Sequence, residues 1–273
     1  MLSKFFVSIA GYFIFSVFNL LGEGLVPYGG NPGVHAVYRG IWAVFDNPAG
    51  IAEQSSFEAG ISYHTAFLLQ ELSDKSLAVV VPMGNVGIAA LGYQQFGYAL
   101  YKEQHGSLVY SRTFGGVVNA GIRFDYLTTK FGNDYGATTA VTGSAGLIAR
   151  VTENVRIGLS VFNPQKVKFS ANGTERYPAN VLAGASWNFG GLTELGFGIS
   201  KTSGNKEILQ CKLNYMVSKK FLLYAGVANG AESFSFGYAF QFGKMNISMS
   251  SGYNFLLGFT PVFSLTFKSK NDE

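Results

Sequence analysis

The chain has 273 residues, 48% hydrophobic and only 13% charged, with a formal net charge of +4. Ordinary soluble domains carry about 25% charged residues, so half the usual solvating surface is missing, and a charge this small and scattered does not imply a nucleic-acid partner. After residue 24 no apolar run approaches the ~20 residues of a membrane helix, so the way left to cross a bilayer is a closed barrel, in which every backbone group is paired without water.

In chain order, Lys4 and an apolar run over 5–21 end in Gly22, Glu23 and Gly24. A short positive start, an apolar middle and small residues at the end read as a secretory signal peptide over 1–24, with a single anchor helix as the blander alternative. Residues 25–54 are different in kind. Pro27, Gly29, Gly30, Pro32 and Gly33 break any regular element, and Tyr38, Trp42 and Phe45 supply bulk without a period. The segment ends in Asp46, Asn47, Pro48, Ala49 and Gly50. Asn47 is biased to an extended conformation by the proline after it, and Gly50 permits a sharp turn. It is expected to form a plug or rim segment leading into the first strand, or simply a pre-strand turn.

From residue 55 onward the period is two. Val118, Ala120, Ile122, Phe124 and Tyr126 alternate with Asn119, Gly121, Arg123, Asp125 and Leu127, as in an extended strand with lipid on one face and a polar lumen on the other. Phe234, Phe236, Tyr238, Phe240 and Phe242 alternate in the same way with Ser235, Gly237, Ala239 and Gln241. Tight turns near Gly84, Gly115, Glu153, Gly190, Lys219 and Gly243 separate the runs at one end. Longer polar connections are expected at 70–75, 101–105, 131–136, 165–176, 202–206, 230–233 and 256–259. The fold class is therefore all-β: a transmembrane antiparallel barrel of about 14 strands over 55–273, in the outer membrane of a Gram-negative cell.

Where apolar residues set the phase, Arg123, Asp125, Arg150, Arg156, Glu194 and Lys212 fall on the lumen side. Turned outward at mid-bilayer, one basic residue would cost ~2–4 kcal/mol, so the register is strongly fixed; Arg112 is outward but close to a turn. Cys211 falls outward as a small apolar filler. A hydroxyl added at Gly121 is expected to fit in the lumen. In the last strand Phe263, Leu265 and Phe267 alternate with Val262, Ser264 and Thr266, resembling the terminal signal read by outer-membrane assembly machinery. No catalytic residue is nominated. His35, His64 and His105 stand in no hydrolase or metalloprotease motif, His64 with Ser62 shares a strand face as chance allows, and no cofactor or metal is called for.

The stretch Asn47, Pro48, Ala49, Gly50, after a Gly-rich segment with an aromatic and an acid just ahead of it, resembles the N-terminal signature of the FadL superfamily of outer-membrane barrels. The hairpin plan of the mature chain resembles it too, closer to the Bacteroidetes PorV/PorQ branch of type IX secretion accessory proteins. That resemblance implies a non-enzymatic component that docks protein partners of an envelope complex through residues 25–54 and its outer loops. The alternative is a FadL-like conduit for small hydrophobic molecules. The short loops favour docking, and outer-membrane lipid surrounds the barrel on either reading.

Overall fold

A computed structural model of the chain describes residues 34–132, 136–169, 175–230 and 233–269. The proposed signal peptide, the first part of the 25–54 segment and residues 170–174 of the longest connection lie outside these.

Fourteen strands form one closed antiparallel barrel in which each strand pairs with its neighbours in sequence and the first with the last. They are β1 (Glu58–Thr65), β2 (Ser73–Pro82), β3 (Ile88–Tyr98), β4 (Tyr101–Phe114), β5 (Val118–Phe131), β6 (Ala137–Arg150), β7 (Val155–Phe162), β8 (Asn180–Phe189), β9 (Thr193–Thr202), β10 (Ile208–Ser218), β11 (Phe221–Ala228), β12 (Phe234–Phe242), β13 (Met245–Asn254) and β14 (Gly258–Lys268). With no helix among the described residues long and apolar enough to cross a membrane, closure is what satisfies the backbone in lipid.

Alternation sets the two faces. In β5, Ile122, Phe124 and Tyr126 are 48%, 60% and 54% exposed, whereas Arg123 and Asp125 between them are 3% and 1% exposed. An outer face of this kind around a closed antiparallel wall is that of a barrel in the outer membrane of a Gram-negative envelope. Paired positive-φ glycines close the tight turns, Gly115 and Gly116 (φ 56° and 70°) between β4 and β5 and Gly190 and Gly191 (φ 59° and 76°) between β8 and β9, which matches the twist of the flanking strands. At the same end the Lys268 ammonium stands 3.0 Å from the Glu58 carboxylate and ties the last strand to the first. Phe263, Leu265 and Phe267 all point outward from β14, 49%, 36% and 38% exposed.

Two connections differ from expectation. The stretch 101–105 is strand, not loop: β4 begins at Tyr101 and only residues 99–100 join it to β3. The first connection spans 66–72 rather than 70–75, with β2 starting at Ser73. The cause in β4 is length. Its 14 residues make about 46 Å of chain and, at ~40° of tilt, about 35 Å of height, against an apolar band ~25 Å tall. The end of the strand has no lipid to enforce alternation.

Candidate functional site

The 34–54 stretch lies inside the barrel rather than on its rim. Three short 3-10 turns, His35–Val37, Ile41–Val44 and Pro48–Ile51, follow one another across the inner faces of β1 to β9. Pro48 supplies the fixed φ of a first helical position. Asn47, extended at φ −115° and ψ 105°, caps the last turn by accepting a 3.1 Å hydrogen bond from the Ala49 N–H. Ile41, Trp42, Ala43, Val44, Phe45 and Ile51 are buried in one cluster with Ala78, Val80, Ile88, Ala90 and Val109 of the wall. This apolar core sits where an open pore would hold water.

The wall accommodates the segment by having no side chain beneath it. A Cβ at Gly92 would stand 2.7 Å from Val44 and Phe45, one at Gly121 2.5 Å from the Pro48 carbonyl carbon, and one at Gly184 2.6 Å from Val34. A Cβ at Gly146 or Gly158 would overlap Asn47 Oδ1 or the Ala36 carbonyl outright. Gly121 is paired with Gly146, Gly158 with Gly184, and Gly184 with Gly198, and between β6 and β7 the glycine row steps by one inner position, with Ser160 opposite Gly146 and Ile148 opposite Gly158, so the glycines form a stepped trough from β5 to β9. The expectation that a hydroxyl fits at Gly121 is therefore wrong: the space belongs to Pro48 and Ala49.

Polar groups then pin the segment. Asn47, fully buried, donates from Nδ2 to the Ala36 carbonyl at 2.6 Å and to the wall carbonyls of Leu147 and Leu159 at 3.3 and 3.4 Å. Its neighbour Asp46 holds His35 Nδ1 at 2.7 Å within the segment, and Ser160 donates to the Asp46 carbonyl at 3.0 Å. From β5, Arg123 Nη1 donates to the Val44 carbonyl at 2.8 Å, while its Nε meets Asp125 at 2.8 Å. Asp125 in turn holds His105 Nε2 at 2.7 Å and accepts from Ser107 at 2.9 Å and Ser144 at 3.1 Å. Nearer the tight turns, Arg39 reaches Glu53 at 3.7 Å and Glu194 of β9 at 3.5 Å. Asn119 of β5 donates to Glu53 at 3.0 Å, so β5 and β9 hold the segment through the linked pair Arg39 and Glu53.

The remaining expected lumen charges separate. Lys212 is 6% exposed, with its ammonium 5.0 Å from the centre of the Tyr224 ring. Arg156 is half-buried on the inner phase. Arg150 is on the same phase, paired with Arg156, but exposed at the last position of β6, where the strand reaches the turn, and donates to the Gly116 carbonyl at 2.6 Å. Sequence reading overlooked Arg39, Glu53 and His105 as partners, since each lies where no period was visible. The detectable signal was the glycines at inner positions of adjacent strands.

Ser107, His105 and Asp125 do not form a nucleophile relay, because Ser107 Oγ (3.2 Å) and Asp125 share the same imidazole nitrogen, Nε2; a relay uses opposite ring nitrogens. Among the described residues no three His, Cys, Asp or Glu side chains are grouped to hold a metal ion. A cavity of about 30 Å³ between the segment and β9–β10, lined by Val34, His35, Val37, Tyr38, Glu194, Gly196, Lys212 and Asn214, has room for water but not for a ring.

No protein-family model matches the chain, and no curated protein matches it. Solved structures do. The monoaromatic hydrocarbon channel CymD aligns with a TM-score of 0.67 at 16% identity over 94% of this chain and 100% of its own. The Pseudomonas putida toluene transporter TodX aligns at 0.67 and 12% over 90% and 100%, and a Pseudomonas aeruginosa FadL homologue at 0.58 and 12% over 88% and 96%. The expected placement in the PorV/PorQ branch, with its Bacteroidetes type IX secretion role, is overturned by these likenesses. The Asn47 to Gly50 motif that suggested it serves a local purpose, capping a turn over a glycine wall, and so could not discriminate between branches. In fold, this chain is similar to hydrocarbon channels of the FadL type.

Proposed function

We propose that the barrel is a conduit for small hydrophobic molecules across the outer membrane, kept shut by residues 34–54 acting as a plug. The observation that carries this reading is the way the segment is held. It lies on inner-wall glycines and is pinned by side-chain hydrogen bonds, joined to the wall through residues 55–57 and pairing with no strand as a β-ladder, so it can shift while every wall strand keeps its partners. The likeness in fold to CymD and TodX, named for monoaromatic hydrocarbons and toluene, spans nearly the whole of those chains and supports an apolar cargo. A protein-docking role is not retained, since its warrant was the PorV/PorQ resemblance. Uptake of radiolabelled toluene at limiting concentration, in cells lacking their own hydrophobic uptake channels, is expected to rise several-fold when the chain is expressed. Uptake equal to that of the empty vector would refute the proposal.

A further inference from the structure

At the tight-turn end of the barrel the free cations gather in one sector. The turns joining β10 to β11 and β12 to β13 carry Lys219, Lys220 and Lys244, all exposed, and no acid stands in either turn. Among the described residues none of the three ammonium groups meets a carboxylate or another side-chain partner. The rest of this rim is different. The turns at 83–87 and 189–192 are uncharged, Arg150 donates to the Gly116 carbonyl with Glu153 in the turn that follows it, and Lys268 is held by Glu58. Arg112 lies with its guanidinium 5.8 Å from the centre of the Phe114 ring. Like charges left together on a surface repel one another until an anion joins them.

The ladder sets how close the lysines stand and what lies beside them. The Gln241 N–H donates to the Lys220 carbonyl and the Lys268 N–H to the Lys244 carbonyl, both at 2.8 Å. Lys220, at the start of β11, and Lys244, at the start of β13, are thus two strand spacings apart, roughly 10 Å. On the lipid side of the same strands Phe240 pairs with Phe221 and Phe242 with Met245, and Phe240, Phe242 and Met245 are 41%, 71% and 45% exposed. Several ammonium groups beside an apolar surface match an anionic phospholipid: its phosphate oxygens accept from the lysines, and its acyl chains cover the phenylalanines. A soluble phosphate would leave that apolar surface unused. Tight turns face the periplasm in outer-membrane barrels, so the lipid is one of the periplasmic leaflet.

We infer that Lys219, Lys220 and Lys244, beside the outward phenylalanines of β11 and β12, form a headgroup site for anionic phospholipid of the periplasmic leaflet. The site is independent of whether the barrel conducts. The test is native mass spectrometry of the purified full chain in detergent, titrated with phosphatidylglycerol and with phosphatidylcholine of the same acyl chains. Phosphatidylglycerol is expected to bind the tighter. A lysine near an anionic lipid surface is worth about fivefold in affinity, so Lys219→Gln with Lys220→Gln and Lys244→Gln is expected to weaken phosphatidylglycerol binding about tenfold or more and leave phosphatidylcholine unchanged. Lys130→Gln with Lys168→Gln and Lys206→Gln, exposed at the opposite end, removes the same charge and is expected to change neither. Heat-modifiable gel mobility confirms that both variants have formed the barrel. Phosphatidylglycerol binding no tighter than phosphatidylcholine, undiminished in the first variant, or equally diminished in the second, overturns the site. Labelling of a tag at Lys219 on intact cells would overturn its assignment to the periplasmic leaflet.

Discussion

Gly146→Ala tests how the plug is seated. The added Cβ would overlap Asn47 Oδ1 and stand 2.9 Å from Asn47 Cγ and 3.0 Å from Pro48 Cδ. Gly146 is paired on both sides, to Gly121 and Ser160, so the wall cannot yield and the segment must. Asn47 then gives up its bonds to the Ala36 and Leu147 carbonyls and from the Ala49 N–H. Each buried group left unpaired costs about 1–3 kcal/mol, so even if one of these three pairings is remade the loss is about 2–6 kcal/mol. Even the lower figure moves the seated-to-unseated ratio by roughly 30-fold, while the barrel ladder is unchanged. The control is Gly106→Ala on the outer face of β4, where a Cβ would have nothing within 4 Å. In planar bilayers Gly146→Ala is expected to conduct more often than wild type, with residues 34–54 more open to protease and heat-modifiable mobility retained. Wild-type conductance and protection would show that the glycine trough does not seat the plug. Loss of the folded mobility would show that plug and wall cannot separate.

Asn47→Ala with Pro48→Ala should also leave the barrel folded while raising conductance and freeing the segment to protease, since it removes the cap and the contacts to Leu147 and Leu159; unchanged conductance with a loosened segment would mean it is no plug. Ile122→Arg puts a charge where the side chain is now 48% exposed to lipid, a penalty of ~2–4 kcal/mol at mid-bilayer, and membrane yield should fall sharply. A tag inserted at Gly204, in the connection between β9 and β10, should be labelled on intact cells, and one at Lys219, in a tight turn, only after permeabilisation; the reverse pattern would invert the barrel.

The wall was legible because lipid and lumen impose opposite demands on alternate residues. In β5 the outward positions from Val118 to Tyr126, and in β12 every outward position, obey that rule, and strand number, closure and register follow from it. Where lipid is absent the rule lapses. Tyr101, Lys102, Glu103 and Gln104 looked like a loop because their strand rises past the apolar band. Residues 34–54 were opaque for a related reason: enclosed on all sides, Ile41 to Phe45 are buried throughout, and uniform burial leaves no period. Short loops proved a poor guide to function, because what occupies the lumen comes from ahead of the first strand.

The glycine trough links these two parts energetically. A glycine within a strand is destabilising by roughly 0.5–1 kcal/mol relative to alanine, so Gly92, Gly121, Gly146, Gly158 and Gly184 together weaken the wall by about 2.5–5 kcal/mol. Burial of the plug offsets this, since each large apolar side chain removed from water contributes about 1.5–3 kcal/mol, and Trp42, Phe45 and Ile51 are at most 4% exposed. The exchange favours a plug that is stable in place yet dispensable to closure. Its gains lie in contacts across the trough, whereas the barrel's lie in ladders that run unbroken between every pair of neighbouring strands. A wall substitution that fills the trough therefore acts on the gate first, which is the property a conduit with a displaceable plug needs and a rigid scaffold does not.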